Sequence, residues 1–375
     1  MQSEITFNNT DRMKKIFSTS AEVNTGRQWS LDFAKFIAIL SMVAVHTFIY
    51  FYGEENMDYG FQYRLNNIYG GVLAAPAFMF AMGAGVAYSR NARALVMLQR
   101  GIKLVVAGYL LNVLRSLPPL LLWQGGYGSE YYDAFLEELL LFDILHFAGF
   151  AFMLFALLQR LRLAPARVFA VGLALSVFGT YVRSVDTGSL WSNLLCYPFV
   201  GVHTGSLWSS FPLANWFIFV ATGYWFGKHL RRQSDPDRFY ALLTPLAAFV
   251  FTIGMIYFTH RALGMFGEES DDAFYYLTPV DALICLSGSL MVSGIGHFLM
   301  PHEPRKLSGA VRQISTDVTR IYLIHWFFVS YLAGGILVGM LGWVPHQFVA
   351  LLLSMVILAV SAWLARLKPF SSIKI

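Results

Sequence analysis

The sequence has little charge and almost no cysteine. Only 13% of its 375 residues are charged, against about 25% in an ordinary soluble domain, and so few charges would not cover the surface of a soluble protein of this length. The two cysteines, Cys196 and Cys285, are too few for a disulfide framework and lack the spacing of a metal site. These shortages exclude a disordered chain, a disulfide scaffold, a coiled coil and a nucleic-acid domain, and we predict no bound metal.

Long apolar runs take the place of charge. Apolar residues make up 57% of the chain and aromatic residues 16%, and the mean hydropathy is +0.55. A membrane-spanning helix requires about 20 mostly apolar residues. Ten segments meet this requirement, at about 32–52, 69–89, 99–122, 139–160, 166–183, 211–230, 239–260, 275–300, 316–340 and 344–366. The pattern predicts an all-α polytopic membrane protein with about ten transmembrane helices, and it leaves little room for strands.

Charged residues alternate in sign between successive loops. Basic residues, among them Arg90 and Arg93, fill one set of loops, and acidic residues fill the opposite set. Because basic loops stay on the cytoplasmic side, the alternation predicts that both termini are cytoplasmic, and it accounts for the net charge of +5 without a nucleic-acid partner. We therefore expect a cytoplasmic tail at 1–29, a transmembrane domain at 30–368 and a second cytoplasmic tail at 369–375, in a bacterial cytoplasmic membrane.

One long outer loop, at about 184–210, is rich in aromatic residues and includes His203 and Trp208. The loop could form a re-entrant segment or a lid over a site. Alternatively, its rings could form an aromatic belt at the membrane interface. Both interpretations stay open at this point.

Ionisable residues inside the apolar spans are costly, so they are usually functional or paired. Lys35 and His46 lie eleven residues apart on the first span, which places them on one helix face about 16 Å apart along the axis. Lys35 is near the predicted cytoplasmic end, where it could instead extend to the membrane surface. His46 is in the outer half, where the alternative is a packed, hydrogen-bonded core histidine.

Two further pairs lie at the predicted outer ends of the third and fourth spans. Asn112 and Arg115 are three residues apart, and Arg115 is either an inward-facing clamp for an anion or carbonyl or an interfacial residue. Asp143 and His146 are also three apart. Their spacing allows the carboxylate to fix the tautomer of the imidazole, although both groups could instead be solvated at the interface.

Two single residues complete this set. Asp281 lies near the outer side of the eighth span, and His325 lies near the middle of the ninth, in a site or in a helix–helix hydrogen bond. Near the inner end of the ninth span, Asp317 and Arg320 are predicted to form a local ion pair. We hypothesise that the ionisable residues of the outer half converge in one bundle site: His46, Arg115, Asp143, His146 and Asp281.

The first span resembles the opening helix of the transmembrane acyltransferases, which include the type-3 membrane acyltransferases and the heparan-alpha-glucosaminide N-acetyltransferase group. It reads RQWSLDFAKFIAILSMVAVHTF at 27–48. The family pattern is Ser-Leu-Asp, a basic residue and, eleven positions later, a histidine. The matching residues here are Ser30, Leu31, Asp32, Lys35 and His46. The family usually has arginine at the position of Lys35, and Lys35 keeps the charge but loses the bidentate fork.

The resemblance extends over most of the chain. Later stretches that resemble family helices lie at 74–90, 99–115, 142–160, 211–230 and 314–328. It implies a multipass enzyme that takes an acyl group, usually acetyl, from acyl-CoA on the cytoplasmic side. The enzyme would deliver that group to a hydroxyl or amine, often of a glycan, on the other side.

Acyl transfer requires a base, a donor to the developing oxyanion and an anchored acyl donor. On this interpretation Lys35, Arg90 and Arg93 bind the phosphates of acetyl-CoA, and His46 is the general base or a transient acyl carrier. Arg115 or Asn112 polarises the thioester carbonyl. The acceptor site is shaped by the remaining residues: Asp143, His146, Asp281, His203, Trp208 and His325. Membrane lipid surrounds the bundle, and a homo-oligomer is compatible with the sequence.

A proton-coupled transporter, or a lipid or solute flippase, is the competing class, because buried Arg, Asp and His also form proton relays and gates. The sequence contains neither an inverted repeat nor a pair of matching broken helices. A membrane subunit that has lost activity is a second alternative. Binding of acetyl-CoA separates these classes, because it stabilises only an acyltransferase.

Overall fold

The computed structural model describes residues 21–52, 70–182, 186–204, 206–262 and 274–371. Its helices are α1 (Trp29–Tyr52), α2 (Gly71–Tyr88), α3 (Ala94–Gln124), α4 (Glu130–Leu140), α5 (Ile144–Arg160), α6 (Pro165–Tyr181), α7 (Leu190–Cys196), α8 (Leu213–Leu230), α9 (Pro236–Ala262), α10 (Pro279–Leu299), α11 (Arg305–Thr316), α12 (Val318–Phe327), α13 (Gln347–Leu364) and α14 (Lys368–Ser371). A 3-10 turn follows α10 at Met300–His302, and a π-helical segment follows α12 at Phe328–Met340. The strands are β1 (His203–Thr204) and β2 (Leu207–Trp208).

Each of the ten predicted spans contains a helix. Within the described residues, seven helices are long and apolar enough to cross a membrane: α1, α2, α3, α9, α10 with its 3-10 turn, α12 with the π-helical segment, and α13. The apolar helices α5 and α6 have 17 residues each, and α8 has 18. The predicted class, an all-α polytopic membrane protein, is confirmed.

The predicted fourth span consists of two helices. The chain turns at Asp143, whose Oδ1 accepts a hydrogen bond of 2.7 Å from the backbone N–H of Ile144 and thereby caps a new helix. Before this break, α4 is amphipathic and carries no fully buried residue. The sequence shows a continuous apolar run because the last residues of α4 and the first of α5 are both apolar.

The long outer loop forms helix α7 and a two-stranded antiparallel hairpin, β1 with β2. Each strand has only two residues, which agrees with the expectation that strands have little room. The backbone N–H of Phe142 donates to the carbonyl of Trp208 (2.9 Å), and Ser210 N–H donates to the carbonyl of Phe142 (3.1 Å). The hairpin thus holds the break between α4 and α5 in position.

Glycines allow α2 and α8 to pack backbone against backbone. A Cβ atom at Gly83 would overlap the carbonyl oxygen of Val220, and one at Gly223 would overlap that of Phe80. Small residues at such contacts are typical of helix pairs in membranes, where close van der Waals packing replaces the hydrophobic effect. On the outside of the bundle, α9 presents an exposed apolar face suited to lipid: Leu242, Phe249, Ile253 and Ile256.

Helix ends that the charge pattern assigns to the same side of the membrane contact each other. At the predicted inner end, the backbone N–H of Val23 donates to the carbonyl of Arg231 (2.9 Å). At the predicted outer end, the hydroxyl of Tyr52 donates to the carbonyl of Pro345 (2.6 Å). These contacts agree with the alternating topology, and the cytoplasmic assignment of the termini stays a prediction.

Candidate active site

His46 on α1 meets a second histidine from α12. Its Nδ1 lies 2.9 Å from Nε2 of His325, and the two rings are stacked with centroids 5.3 Å apart. Trp326 also stacks on His46, with 4.2 Å between centroids. His325 is fully buried, whereas His46 is half-buried. The helix–helix hydrogen bond considered for His325 is present.

Arg115 lies at the centre of a buried ionic network. Its Nη1 lies 2.8 Å from Oδ2 of Asp143, and its Nη2 lies 2.8 Å from Oε2 of Glu138. The guanidinium carbon is 4.2 Å from the ring centroid of Trp326. Arg115 therefore points into the bundle and not to the membrane interface, and one cation is shared by two carboxylates.

Two tyrosines extend the network to α12 and α1. The hydroxyl of Tyr322 donates to Oδ2 of Asp143 (2.9 Å), and the hydroxyl of Tyr50 donates to Glu138. Five helices, α1, α3, α4, α5 and α12, are thus connected through polar side chains at one depth. Such a network positions its members rigidly when its hydrogen bonds are satisfied.

His146 and Asn112 have local partners. The backbone N–H of Asp143 donates to Nδ1 of His146 (3.2 Å), which completes the cap of α5. The amide of Asn112 donates to the carbonyl of Leu141 (2.7 Å) at the break between α4 and α5. The predicted contact between the Asp143 carboxylate and the His146 ring does not form, because that carboxylate is held by Arg115, Tyr322 and the helix N-terminus.

An open cavity of about 150 Å³ adjoins the network at the predicted outer end. The polar side chains in its lining are those of Tyr50, Arg115, Tyr131, Glu138 and Ser330. The hydroxyl of Ser330 is buried and, among the described residues, has no hydrogen-bond partner. The cavity therefore offers a hydroxyl, a carboxylate and a cation to a small polar molecule.

Asp281 does not join the other predicted residues in a single site, so this part of the expected convergence is wrong. Its Oδ2 lies 2.6 Å from Nη1 of Arg261 and accepts from the backbone N–H of Thr278 (2.7 Å) at the start of α10. The carboxylate is taken up in a second buried ion pair because its position at the N-terminus of α10 favours an anion. The expected convergence is observed for the other members, which contact one another directly or through Trp326.

The outer-loop residues lie on the hairpin. Trp208 is half-buried and packs edge-on against Tyr275, with ring centroids 5.5 Å apart. The backbone of His203 lies in β1, and its side chain lies outside the described part of the structure. Nearby, hydrogen bonds from the Asn193 amide and the Gly188 backbone lower the pKa of the Asp186 carboxyl.

The predicted donor-binding residues lie toward the opposite end of the bundle. Lys35 is half-buried one turn after Asp32, whose carboxylate is 2.5 Å from Nε of Arg27. Arg90 and Arg93 are exposed in the connection from α2 to α3. Lys35 and Arg27 therefore lie near the predicted inner end of α1, on the helix that carries His46.

Sequence reasoning missed Tyr50, Glu138 and Trp326 as members of the site. Tyr50 follows His46 by one helical turn, which was an available signal. Glu138 lies in one of the acidic segments of the charge pattern, and Trp326 lies in a continuous apolar run. Neither of the latter two carries a local pattern that indicates its role.

The family model for the catalytic domain of heparan-alpha-glucosaminide N-acetyltransferase matches residues 27–262. The match covers more than half of the chain, so the chain belongs to this family of membrane acetyltransferases. No curated protein and no solved structure gives a significant match. The matched region includes His46, Arg115 and Asp143 and ends before His325 and Trp326.

Proposed function

We propose that the protein transfers an acetyl group from acetyl-CoA to an amine or hydroxyl of a glycan, with His46 as the general base. The observation that carries the proposal is the position and hydrogen bonding of His46. It lies on the opening helix of the family-matched region, half-buried, and its Nε2 has no hydrogen-bond partner among the described residues. A ring nitrogen without such a partner, one helical turn from Tyr50 of the cavity lining, suits proton abstraction.

The proton balance of the reaction requires one base. The acceptor nitrogen or oxygen attacks the thioester carbonyl while its proton passes to Nε2 of His46. The tetrahedral intermediate then collapses, the carbon–sulfur bond breaks, and the thiolate of CoA receives that proton from His46. Arg115 is the candidate donor to the oxyanion, because its Nε is buried and has no hydrogen-bond partner among the described residues.

The donor enters from the inner end. Lys35, Arg90 and Arg93 provide positive charge for its phosphates, and the length of α1 between Lys35 and His46, about 16 Å, suits the pantetheine arm. The acceptor occupies the outer cavity, where Tyr50 and Glu138 offer hydrogen bonds to a sugar. The family's name specifies a glucosaminide, so an amine on a sugar is the first acceptor to test. The membrane is a bacterial cytoplasmic membrane.

The test uses the full chain in lipid nanodiscs with acetyl-CoA and glucosamine, followed by release of free CoA and formation of the N-acetyl product. His46→Asn should abolish transfer and keep the thermal stability of the wild type. The matched control is His302→Asn, an exposed histidine after α10, which should keep full activity. Full activity of His46→Asn would remove the proposed base.

A thermal shift separates the enzyme from the transporter alternative. Acetyl-CoA at 100 times its Kd should stabilise the wild type by about 2.7 kcal/mol. A transporter of another solute would show no such shift, and neither would a subunit that has lost its donor site.

A further inference from the structure

We infer that His325 is a positioning residue that fixes the proton of His46 on Nδ1 and so keeps Nε2 as the basic atom. The inference rests on the proposed function of His46. His325 lies outside the region matched by the family model, so the family assignment gives it no role. Its full burial and the engagement of both its ring nitrogens separate it from the acceptor-binding role that the sequence predicts.

The hydrogen-bond chain determines which nitrogen carries each proton. Nδ1 of His325 lies 2.5 Å from the backbone carbonyl oxygen of Tyr322. A carbonyl oxygen only accepts, so Nδ1 of His325 must donate. In a neutral imidazole the other nitrogen is then an acceptor. Nε2 of His325 therefore accepts the bond of 2.9 Å to His46, and Nδ1 of His46 is the donor.

A neutral His325 is the state that its surroundings support. A protonated ring would place a charge in the interior. Among the residues that the structure describes, its two nitrogens are bonded to the Tyr322 carbonyl and to His46, and not to a carboxylate. Burying a charge without a counter-ion is costly. The neutral ring satisfies both of its hydrogen bonds, and it leaves Nε2 of His46 with an unprotonated lone pair.

Trp326 holds the ring of His46 in the plane that this bond requires. The indole follows His325 directly on α12 and stacks on His46 at 4.2 Å with an angle of 28° between the planes. A stacked neighbour on one side and a fixed acceptor at Nδ1 together oppose rotation of the imidazole. Without His325, His46 would divide between two tautomers, and the one protonated at Nε2 cannot act as a base.

The functional consequence appears in the chemical step. When Nε2 of His46 takes the acceptor proton, the ring becomes an imidazolium, and its Nδ1–H bond to His325 becomes charge-assisted and stronger. The bond thus stabilises the transition state more than the ground state. Loss of His325 should lower kcat and leave KM for acetyl-CoA nearly unchanged.

The first test compares two substitutions in the nanodisc assay. His325→Phe removes the acceptor and keeps a ring, and we expect kcat to fall about 100-fold with KM within about twofold. His325→Gln places an amide oxygen that can accept from Nδ1 of His46, and we expect it to recover at least about tenfold of that loss. The control is His302→Phe, because His302 also bonds a backbone carbonyl through Nδ1, and its kcat should not change. Equal kcat in His325→Phe and wild type, or equal losses in His325→Phe and His325→Gln, would overturn the inference.

A second measurement needs no variant at position 325, so it still tests the inference if His325→Phe fails to fold. In protein labelled with ¹⁵N-histidine, the nitrogen shifts of His46, assigned by their loss in His46→Asn, should show a protonated Nδ1 and an unprotonated Nε2. The reverse pattern would contradict the inference. If the wild type forms no acetylated product, the proposed function fails. If wild type is active, His46→Asn is inactive and the nitrogen pattern is reversed, only the role of His325 fails.

Discussion

The guanidinium of Arg115 lies over the indole of Trp326, 4.2 Å from the ring centroid. The same indole stacks on His46, so one aromatic ring connects the buried cation to the proposed base. Arg115 comes from α3 and Trp326 from α12. The contact therefore joins the family-matched part of the chain to the part beyond it.

Removal of the shared cation should destabilise the protein strongly. Arg115→Met leaves Asp143 and Glu138 close together without their counter-ion, and breaking a buried pair in this way costs about 3–5 kcal/mol. Chemical denaturation in detergent measures the loss. The control is Lys228→Met, whose ammonium lies 3.7 Å from Glu22 and is partly exposed, and it should cost no more than about 1 kcal/mol. Equal stability of the two variants would contradict the buried network.

Substitutions of Asp143 should separate its capping role from its charge. Asparagine keeps the cap on the Ile144 N–H but loses the charge that holds Arg115, whereas alanine loses both. Asp143→Ala should therefore be about 1 kcal/mol less stable than Asp143→Asn, which is the usual contribution of an N-cap. Both variants should lose most of the acetyl transfer because Arg115 is displaced. Identical stabilities would show that the cap contributes nothing.

Contacts between residues close in sequence were predictable, whereas the contacts that build the site were not. The pair of Asp317 and Arg320 is confirmed at 2.7 Å, because residues three apart on a helix face each other. The contact of His46 with His325 was not predictable, since 279 residues separate them and helix packing order has no local signal. For the same reason the sequence predicts that Asp281 lies at the outer side but does not predict its ion pair with Arg261. The expected contacts of Asp281 with the other site residues are therefore wrong.

The helices themselves were predictable because a spanning segment has a long apolar run, but their interruptions were not. The break before Asp143 consists of a cap and a bond to the distant hairpin at Trp208. The π-helical segment at Phe328–Met340 has the same apolar composition as an α-helix. Composition therefore predicts the presence of these elements, and tertiary contacts decide where they change.

The contact between α2 and α8 should not tolerate an added methyl group. In Gly223→Ala the new Cβ meets the backbone carbonyl of Phe80, which cannot move without shifting a helix, so we expect a loss of at least about 2 kcal/mol. The matched control is Gly309→Ala on α11, where no other part of the described structure comes within 4 Å of the new atom. That variant should gain up to about 1 kcal/mol from helix propensity. Thermal unfolding of both variants measures the difference, and a neutral Gly223→Ala would contradict the close packing.

The charge of Lys35 should act on donor binding and not on the chemical step. Lys35→Met removes one cation from the inner end of α1, and the loss of a charge-assisted contact with a phosphate should raise KM for acetyl-CoA about tenfold or more, with kcat within about twofold. Lys35→Arg restores the residue usual in the resembling family and should keep or lower the wild-type KM, because its planar fork can bind a phosphate through two hydrogen bonds. The control is Arg167→Met, an exposed basic residue near the start of α6, which should leave both constants unchanged. If Lys35→Met lowers kcat and leaves KM unchanged, this lysine takes part in the reaction itself. If both constants are unchanged, its side chain extends to the membrane surface, as its position near the helix end also allows.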